Sequence, residues 1–556
     1  MKWLLVYILL PVIFFGCGKQ DAASPDLVVP VPASFSFDAF KLNGQFNGYI
    51  YYNVNTTPVL KVSFSAPVNR ASVNNSFFLK NKLGTNLGFH TSYENNDSTV
   101  VVQPDSGLLF LDKYVFSVAT SLKSSTGGSL LSGIEVNLHT QLDSSRKFPT
   151  ITDNELLTKI QQQTFKYFWD FGHPVSGLAR ERSNGDNETV TSGGSGFGIM
   201  TIPVAISRNF ITRAEGLARM QKIVGFLKNN AVKVKGAFPH WLNGTTGAII
   251  PFGNNDDGAD LVETSYLMAG LLTARQYFNG AGADEMNLRN DINTLWNNVE
   301  WDWFRRGGQD VLYWHYSAGK EWAMNFPIRG WNECLITYIM AASSASHGVP
   351  LSVYTNGWAG GSSFINGNTY YGYQLPLGPS QGGPLFFSHY SFLGVNPNSL
   401  QDIYANYTTQ TTNHTLINYN YCKTNSLNQF GYSADCWGLT ASDIPNGYTA
   451  SSPTNDVGVI APTAALSSFP YTPTESMKAL KFFYYTLGDK IWKDYGFVDA
   501  FSLKEPWFAN SFLAIDQGPI IVMIENYRTG LIWNLFTSCP EVKAGMKALG
   551  FTAPYL

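Results

Sequence analysis

The sequence predicts two architectures in series: an all-β sandwich near the N-terminus, then a longer all-α barrel. Three observations lead there. Between about residues 34 and 141 apolar and polar side chains alternate, the period of a half-buried strand. After Pro149 the apolar spacing lengthens to that of an amphipathic helix and recurs to the C-terminus. At 556 residues the chain also exceeds what one hydrophobic core supports.

The first residues bear on location. Met1-Lys2 and the apolar run Trp3 to Phe15 form a short n-region and h-region, too short for a spanning helix. The run ends in Ile13-Phe14-Phe15-Gly16-Cys17, which resembles a bacterial lipobox. Residues 1–17 are therefore expected to be a lipoprotein signal peptide, with Cys17 the lipidated N-terminus of an outer-membrane protein on its periplasmic or cell-surface face. Residues 18–33, with Pro25, Pro30 and Pro32, are expected to be the tether. The other cysteines are Cys334, Cys422, Cys436 and Cys539; spacing leaves a Cys422–Cys436 bridge open. Neither CxxC nor HExxH occurs, so no metal is expected.

In the β region, Leu60, Val62, Phe64 and Ala66 alternate with polar residues, as do Tyr114, Phe116 and Val118, and Ile134, Val136 and Leu138. Turn signals such as Asn95-Asn96-Asp97 and Thr126-Gly127-Gly128 separate the runs. Short strands at this spacing predict an immunoglobulin-type sandwich over 34–141, serving as a spacer. The second region is assigned to 150–556. Its helices are expected near 153–171, 197–209, 213–229, 259–278, 284–300, 332–347, 397–407, 456–468, 474–487, 509–527 and 538–548. Three connections, 172–196, 348–396 and 419–455, exceed ordinary loop length, which points to function. Sequential helix hairpins with elaborate loops predict an (α/α)6 barrel, whose inner helices present their ends to one cleft.

Composition narrows the chemistry. Net charge is -3, so no basic field is available for nucleic acid, and only 14% of residues are charged against roughly 25% in ordinary soluble chains. Against that sparse background, Asn254 to Glu263 holds four carboxylates at a loop-to-helix junction: Asp256, Asp257, Asp260 and Glu263. Asp260 and Glu263 fit a capping box, which leaves Asp256 and Asp257 unaccounted for; the EF-hand spacing fails. Glu333, in Arg329-Gly330-Trp331-Asn332-Glu333-Cys334, again precedes an apolar helix, and Asp516-Gln517-Gly518-Pro519 opens a third. Glu525, further along that third helix, is expected to pair with Arg528. Trp241, Trp314, His315, His389, Tyr390, Trp437 and Trp507 stand in aromatic-rich loops, where flat rings suit sugar faces. Glycosidic cleavage needs one carboxylic acid for the leaving oxygen and one carboxylate for water. Three acidic helix entrances would supply both. No phosphate loop or GxSxG elbow occurs.

These residues carry a resemblance. Asp256-x3-Asp260-x2-Glu263, Trp331-Asn332-Glu333 and Ile515-Asp516-Gln517-Gly518-Pro519, with Ile524-Glu525-Asn526-Tyr527-Arg528, are together similar to the glycoamylase-like domain. Its characterised members are the endo-β-1,2-glucanases of glycoside hydrolase family 144. The resemblance covers about 150–556 and implies an (α/α)6 barrel hydrolysing β-1,2-glucan to short sophoro-oligosaccharides with inversion, without a cofactor. It implies Glu333 as general acid and Asp516 as general base. Asp256, Asp260 and Glu263 would grip sugar hydroxyls or position water, and Trp241, Trp314, His315, Arg329, Asn332, His389, Tyr390, Trp437, Trp507 and Gln517 would contact substrate. The partners expected are a neutral glucan and the membrane holding the lipid, for a monomeric protein. A segment at about 397–455 has no match in the family pattern. Two rivals use some of the same features: a non-catalytic SusD-like glycan-binding lipoprotein, and a polysaccharide lyase built on Tyr313, His315, His389, Tyr390 and Arg329.

Overall fold

A computed structural model describes residues 31–556. The expected signal peptide, Cys17 and nearly all of the tether lie outside the described residues. The chain folds as two compact units, a β-rich one up to Leu109 with Tyr114–Leu138 and a second one of Phe110–Lys113 with His139–Leu556.

The first unit contains β1 (Phe37–Leu42), β2 (Ile50–Val54), β3 (Leu60–Phe64), a single helical turn α1 (Arg70–Val73), β4 (Phe77–Asn81), β5 (Phe89–Glu94), β6 (Thr99–Pro104), β7 (Lys113–Val118) and β8 (Ile134–Thr140). They form two four-stranded sheets, in the orders β1-β3-β6-β5 and β2-β8-β7-β4. Antiparallel register sets Val62 opposite Phe40 on one side and Val100 on the other, and all three are buried. A slip of one residue would turn that row to water, so the alternation itself specifies the pairing. Asn95, Asn96 and Asp97 join β5 to β6 in the left-handed region, which Asn and Asp tolerate best among residues with side chains.

The second unit is helical. Its helices are α2 (Asp153–Trp169), α3 (Ser192–Ser207), α4 (Arg213–Asn229), α5 (Leu261–Tyr277), α6 (Ala283–Asn297), α7 (Leu335–Ser343), α8 (Tyr407–Thr424), α9 (Pro462–Leu466), α10 (Pro473–Lys481), α11 (Gly488–Ile491), α12 (Ala514–Thr529), α13 (Leu531–Thr537) and α14 (Pro540–Ala548). Short strands join them, among them β9 (Thr189–Thr191), β10 (Trp241–Asn243), β11 (Ile249–Ile250), β12 (Ala259–Asp260) and β13 (His315–Tyr316). Thr152 and Glu155 complete a capping box on α2, and Thr212 and Glu215 another on α4. Amphipathic α4 buries Met220, Ile223, Val224 and Leu227 and turns Lys222 and Lys228 outward. Helices α3, α5 and α12 are instead buried on nearly every face and pack together. Backbone meets backbone where α3 crosses α5. A Cβ on Gly196 would lie 2.2 Å from the Tyr266 carbonyl oxygen, and one on Gly270 2.2 Å from that of Gly196.

Some expected elements shift. Helix α3 begins at Ser192, not 197, because tertiary packing offsets the roughly 1 kcal/mol that each of Gly193, Gly194 and Gly196 costs in a helix. No α-helix covers 397–406; α8 follows it, in a stretch rich in Thr and Asn that carries no apolar period. Among the described residues no helix is long and apolar enough to cross a membrane. Cys334, Cys422, Cys436 and Cys539 are free buried thiols, so the Cys422–Cys436 bridge is not formed.

Glu525 pairs with Arg208, not with Arg528. Its carboxylate accepts from Arg208 Nε at 2.8 Å and Nη2 at 2.9 Å, Gln161 Nε2 at 3.1 Å and Thr529 Oγ1 at 2.8 Å. Arg528 turns instead to Gln161, Thr158 and Asn154. Glu525→Ala would strand the Arg208 charge, and loss of one partner of a buried pair costs about 3–5 kcal/mol. A clear fall in Tm, with the wild-type helical circular dichroism retained below the transition, is the expected result. Burial opposes ionisation of Glu525, but these donors outweigh it and hold its pKa below the ordinary value. Its contribution is therefore present above the unfolded pKa and is lost as pH falls through the folded one.

Candidate active site

Four helix N-termini meet at one cavity of about 370 Å³, the size of a small-ligand site. The start of α3 supplies Thr191, and α5 supplies Val262, Glu263 and Tyr266. Glu333 stands just before α7, and Leu513 and Ile515 open α12. Glu181, Arg182, His240, Trp241, Phe252, Trp314, Phe386, Tyr390, Ala441 and Tyr448 complete the wall.

Local pairing places these groups. In β12–β13, Asp260 lies directly opposite His315, and in β9–β10, Thr191 lies opposite Trp241. Asp260 is the N-cap of α5: its Oδ1 accepts from the backbone N–H groups of Val262 and Glu263, each at 2.9 Å. Only half of the expected capping box forms. The Glu263 side chain turns away from Asp260 and accepts from Gly193 N–H at 2.6 Å and Thr191 Oγ1 at 3.3 Å. Glycine is required at 193, since a Cβ there would stand 2.5 Å from Glu263 Oε2.

His240 joins the carboxylates. Its Nδ1 is 3.1 Å from Asp260 Oδ2 and 3.9 Å from Asp256 Oδ2, and its Nε2 is 4.0 Å from Glu263 Oε1. Burial alone would lower the His240 pKa, but the charges of Glu263, Asp260 and Asp256 outweigh it and raise it to about 9. Asp256 is pushed up to about 7, by burial first and then by the Asp260 charge. Burial also opposes the Asp260 anion, yet hydrogen bonding to His240, the charges of both histidines and the cap N–H groups hold its pKa below the ordinary value. His315 Nε2 sits 3.4 Å from Asp256 Oδ2 and 3.6 Å from Asp260 Oδ2. Aromatic rings floor this side: Phe252 stacks on His240 at 4.1 Å, and Trp314 is parallel to His315 within 9°.

Glu333 faces the cavity with its backbone fixed. Its carbonyl oxygen accepts from Ser391 Oγ at 2.5 Å and Tyr266 Oη at 3.4 Å. A place beside a helix N-terminus favours the anion, but burial wins, aided by the charges of Asp260 and Glu263, and the pKa rises to about 7. The site thus offers a carboxylic acid still protonated near neutrality, Glu333, close to a carboxylate that stays ionised, Asp260, the division that glycosidic cleavage requires.

Residues 325–540 match the family model described as "Putative glucoamylase". Over 73% of its length the chain is 50% identical to the endo-β-1,2-glucanase from Chitinophaga pinensis, covering all of that chain with a TM-score of 0.71. The chain belongs to this glycoamylase family. A β-1,2-glucanase structure from Parabacteroides distasonis is 36% identical, with a TM-score of 0.71, over 94% of this chain and 73% of that one. The exo β-1,2-glucooligosaccharide sophorohydrolase (non-reducing end) of Parabacteroides distasonis is 46% identical over 74% of this chain. The chain spans 59% of the length of that relative. Residues 51–140 match a bacterial Ig-like domain.

The glycoamylase-family cavity gathers some predicted residues and leaves others out. Glu263, Glu333, Trp241, Trp314 and Tyr390 line it, and Asp256, Asp260 and His315 stand behind His240 and Glu263. Asp516 is 1% exposed and does not line the cavity, although its neighbour Ile515 does. Two expectations need correction. His389 is buried against Ser468, where burial pushes its pKa down to about 3, and Trp437 is fully buried with Nε1 donating to the Glu475 carbonyl. Both are core residues. Arg329 donates to the Asn356 carbonyl, Asn332 accepts from Cys334 N–H, Gln517 donates to the Phe497 carbonyl, and Trp507 lies in a hairpin with Phe501 and Ser502; none lines the cavity. Sequence reasoning passed over Glu181, Arg182, Thr191, Phe252, Tyr266, Phe386 and Tyr448, and gave His240, in the aromatic-rich loop Pro239-His240-Trp241, no role. The long loops 172–196, 348–396 and 419–455 were the available signal for five of them.

Proposed function

We propose that this protein hydrolyses β-1,2-glucan to short oligosaccharides on an (α/α)6 barrel, with Glu333 as general acid and Asp516 as general base. One observation carries the reading: a protonatable Glu333 on the wall of an aromatic-lined cavity, with the ionised carboxylate of Asp260 behind that wall. The barrel reading is supported by inner helices α3, α5, α7 and α12, whose N-termini meet at that cavity. Glu333 donates its proton to the glycosidic oxygen as the C–O bond breaks. Water adds to the anomeric carbon from the opposite face, inverting it, and gives up a proton toward Asp516 through an intervening hydroxyl or water. The Glu263 carboxyl on the cavity wall, with the Asp260 anion behind it, favours the positive charge that builds on the sugar ring, and Trp241, Phe252 and Trp314 offer flat faces to glucosyl rings.

A lyase for uronate polymers fits this cavity poorly. Its one arginine, Arg182, is already paired with Glu181 and Asp443 and is not free to hold an acidic sugar. A purely binding protein has no use for a protonated Glu333. The chain is further proposed to be anchored to the outer membrane through a lipid on Cys17; metabolic labelling with a radiolabelled fatty acid should mark the wild type and not Cys17→Ser.

Incubation with linear β-1,2-glucan tests the activity. New reducing ends, with the α-anomer first seen by NMR, are expected. Sophorose as the sole early product means exo action, and a ladder of sophoro-oligosaccharides means endo action. No product from this or any other neutral glucan would overturn the reading. Because Glu333 must keep its proton, kcat/KM should fall as pH rises above about 7. In Glu263→Gln one of the like charges that raise the Glu333 pKa is gone, so that alkaline limb should move to lower pH.

A further inference from the structure

The group proposed as base has a partner that the reaction scheme leaves unused. Asp516 and Asp499 are 1% and 2% exposed, and their carboxyls stand within hydrogen-bond reach of one another. Each has one buried oxygen without any other partner, Asp516 Oδ2 and Asp499 Oδ1. The second oxygen of Asp499 is occupied, accepting from the backbone N–H of Asp443 at 2.7 Å. Two carboxylates cannot both ionise in so dry a place, and one proton placed between them satisfies both unmatched oxygens.

We propose that Asp499 is the positioning partner of Asp516: the two carboxyls share a single proton, and the pair, with one negative charge, serves as the base. The inference rests on the proposed role of Asp516. In the hydrolytic step the water O–H bond breaks and its proton arrives on Asp516, while the shared proton settles on Asp499 Oδ1. The pair is then neutral, and it returns the extra proton to solvent after the sugar leaves. Charged neighbours fit this state. Arg182 bonds Glu181 at 2.8 Å and Asp443 at 3.2 Å, balancing one of their two charges, and Ser511 Oγ donates to Asp443 at 2.5 Å. Two buried tyrosines nearby, Tyr167 and Tyr390, have their pKa values raised well above the ordinary one, chiefly by burial, and stay neutral, and the third, Tyr448, is half exposed. Burial and the partner carboxyl push Asp516 well up, and Asp499 rises to about 7, as expected of a pair whose protons leave in two steps.

The same contacts tie the base to the cleft wall. Asp443 lies in the hairpin Ala441–Ile444/Gly447–Ala450, which carries Tyr448 into the cavity. Asp499 therefore holds the hairpin with one oxygen and Asp516 with the other.

Two substitutions separate proton sharing from support of the hairpin. In Asp499→Asn the amide oxygen must take the Asp443 N–H, which turns the NH2 toward Asp516 as a substitute donor. Activity within about tenfold of wild type and an unmoved acidic limb of kcat/KM are expected. Asp499→Leu removes the donor, and the acidic limb should rise by about one pH unit or more. A correctly folded Asp499→Leu whose acidic limb coincides with that of wild type would overturn the proposal. Infrared spectroscopy in the Glu333→Gln background reads the proton directly and needs no activity. Asp256, at about 7, contributes a protonated-carboxyl C=O band of its own, so the difference spectrum is read: adding Asp499→Asn should remove one such band at neutral pH, and a difference spectrum without that loss would show that Asp516 holds a proton unaided, against the proposal. An inactive wild type with the infrared signature intact would count against the glucanase reading and leave the proton-sharing pair standing.

Discussion

Glu333→Gln is expected to lower kcat on β-1,2-glucan by about 10²–10⁴, the usual contribution of a general acid. The amide keeps the size and neutrality of the protonated carboxyl, so Tm should stay at the wild-type value and the loss can be assigned to chemistry. Leaving-group dependence adds a control. An aryl β-glucoside with an acidic phenol needs little protonation as it departs, so the variant should lose far less on that substrate than on glucan. Equal losses on both, or a kcat within a few-fold of wild type, would remove Glu333 from the acid role. The prediction depends on burial outweighing the helix N-terminus beside it. If the N-terminus prevailed, the group would be ionised at neutral pH and have no proton to donate.

Asp516→Asn should cost a similar 10²–10⁴ in kcat, with the opposite dependence on leaving group. Water must still be activated when the aglycone leaves readily, so the aryl glucoside should suffer as much as the glucan. The substitution also removes a proton-sharing partner from Asp499, whose free oxygen then meets an amide donor and whose pKa should fall. Activity within a few-fold of wild type would exclude Asp516 as the base. Because Asp516 lies behind the cavity wall, its proton must travel through an intermediate hydroxyl or water. A solvent isotope effect on kcat that is larger in the wild type than in the variant is the expected kinetic trace.

How much could be read in advance differed by element. The β-unit was legible because each strand has one wet face and one dry one, so Leu60, Val62 and Phe64 report burial by alternation. Outer helices such as α2 and α4 were legible for the same reason at the longer period; the Thr152 and Thr212 caps that start them are seen in the structure. Inner helix α3 was legible only in part. A helix dry on all faces has no polar stripe to mark its period, and Gly193, Gly194 and Gly196 look like loop until a partner backbone is pressed against them. Helix α8 was missed because Thr and Asn disfavour helix in isolation; here they lie buried among Gln410, Thr411, His414 and Thr415.

By itself, the sequence determined the order of the two units, the helix entrances where carboxylates collect, and the family pattern joining Asp256, Asp260, Glu263, Glu333 and Asp516. Each of these is a matter of local spacing, which a chain carries whether or not it is folded. The tertiary structure decided what the carboxylates are. It set His240 among three of them, dried Glu333 enough to hold a proton, sent His389 and Trp437 into the core, and brought Asp499 to Asp516 from 17 positions away. Protonation depends on burial and on charges a few ångströms away, and residues far apart in the chain supply both.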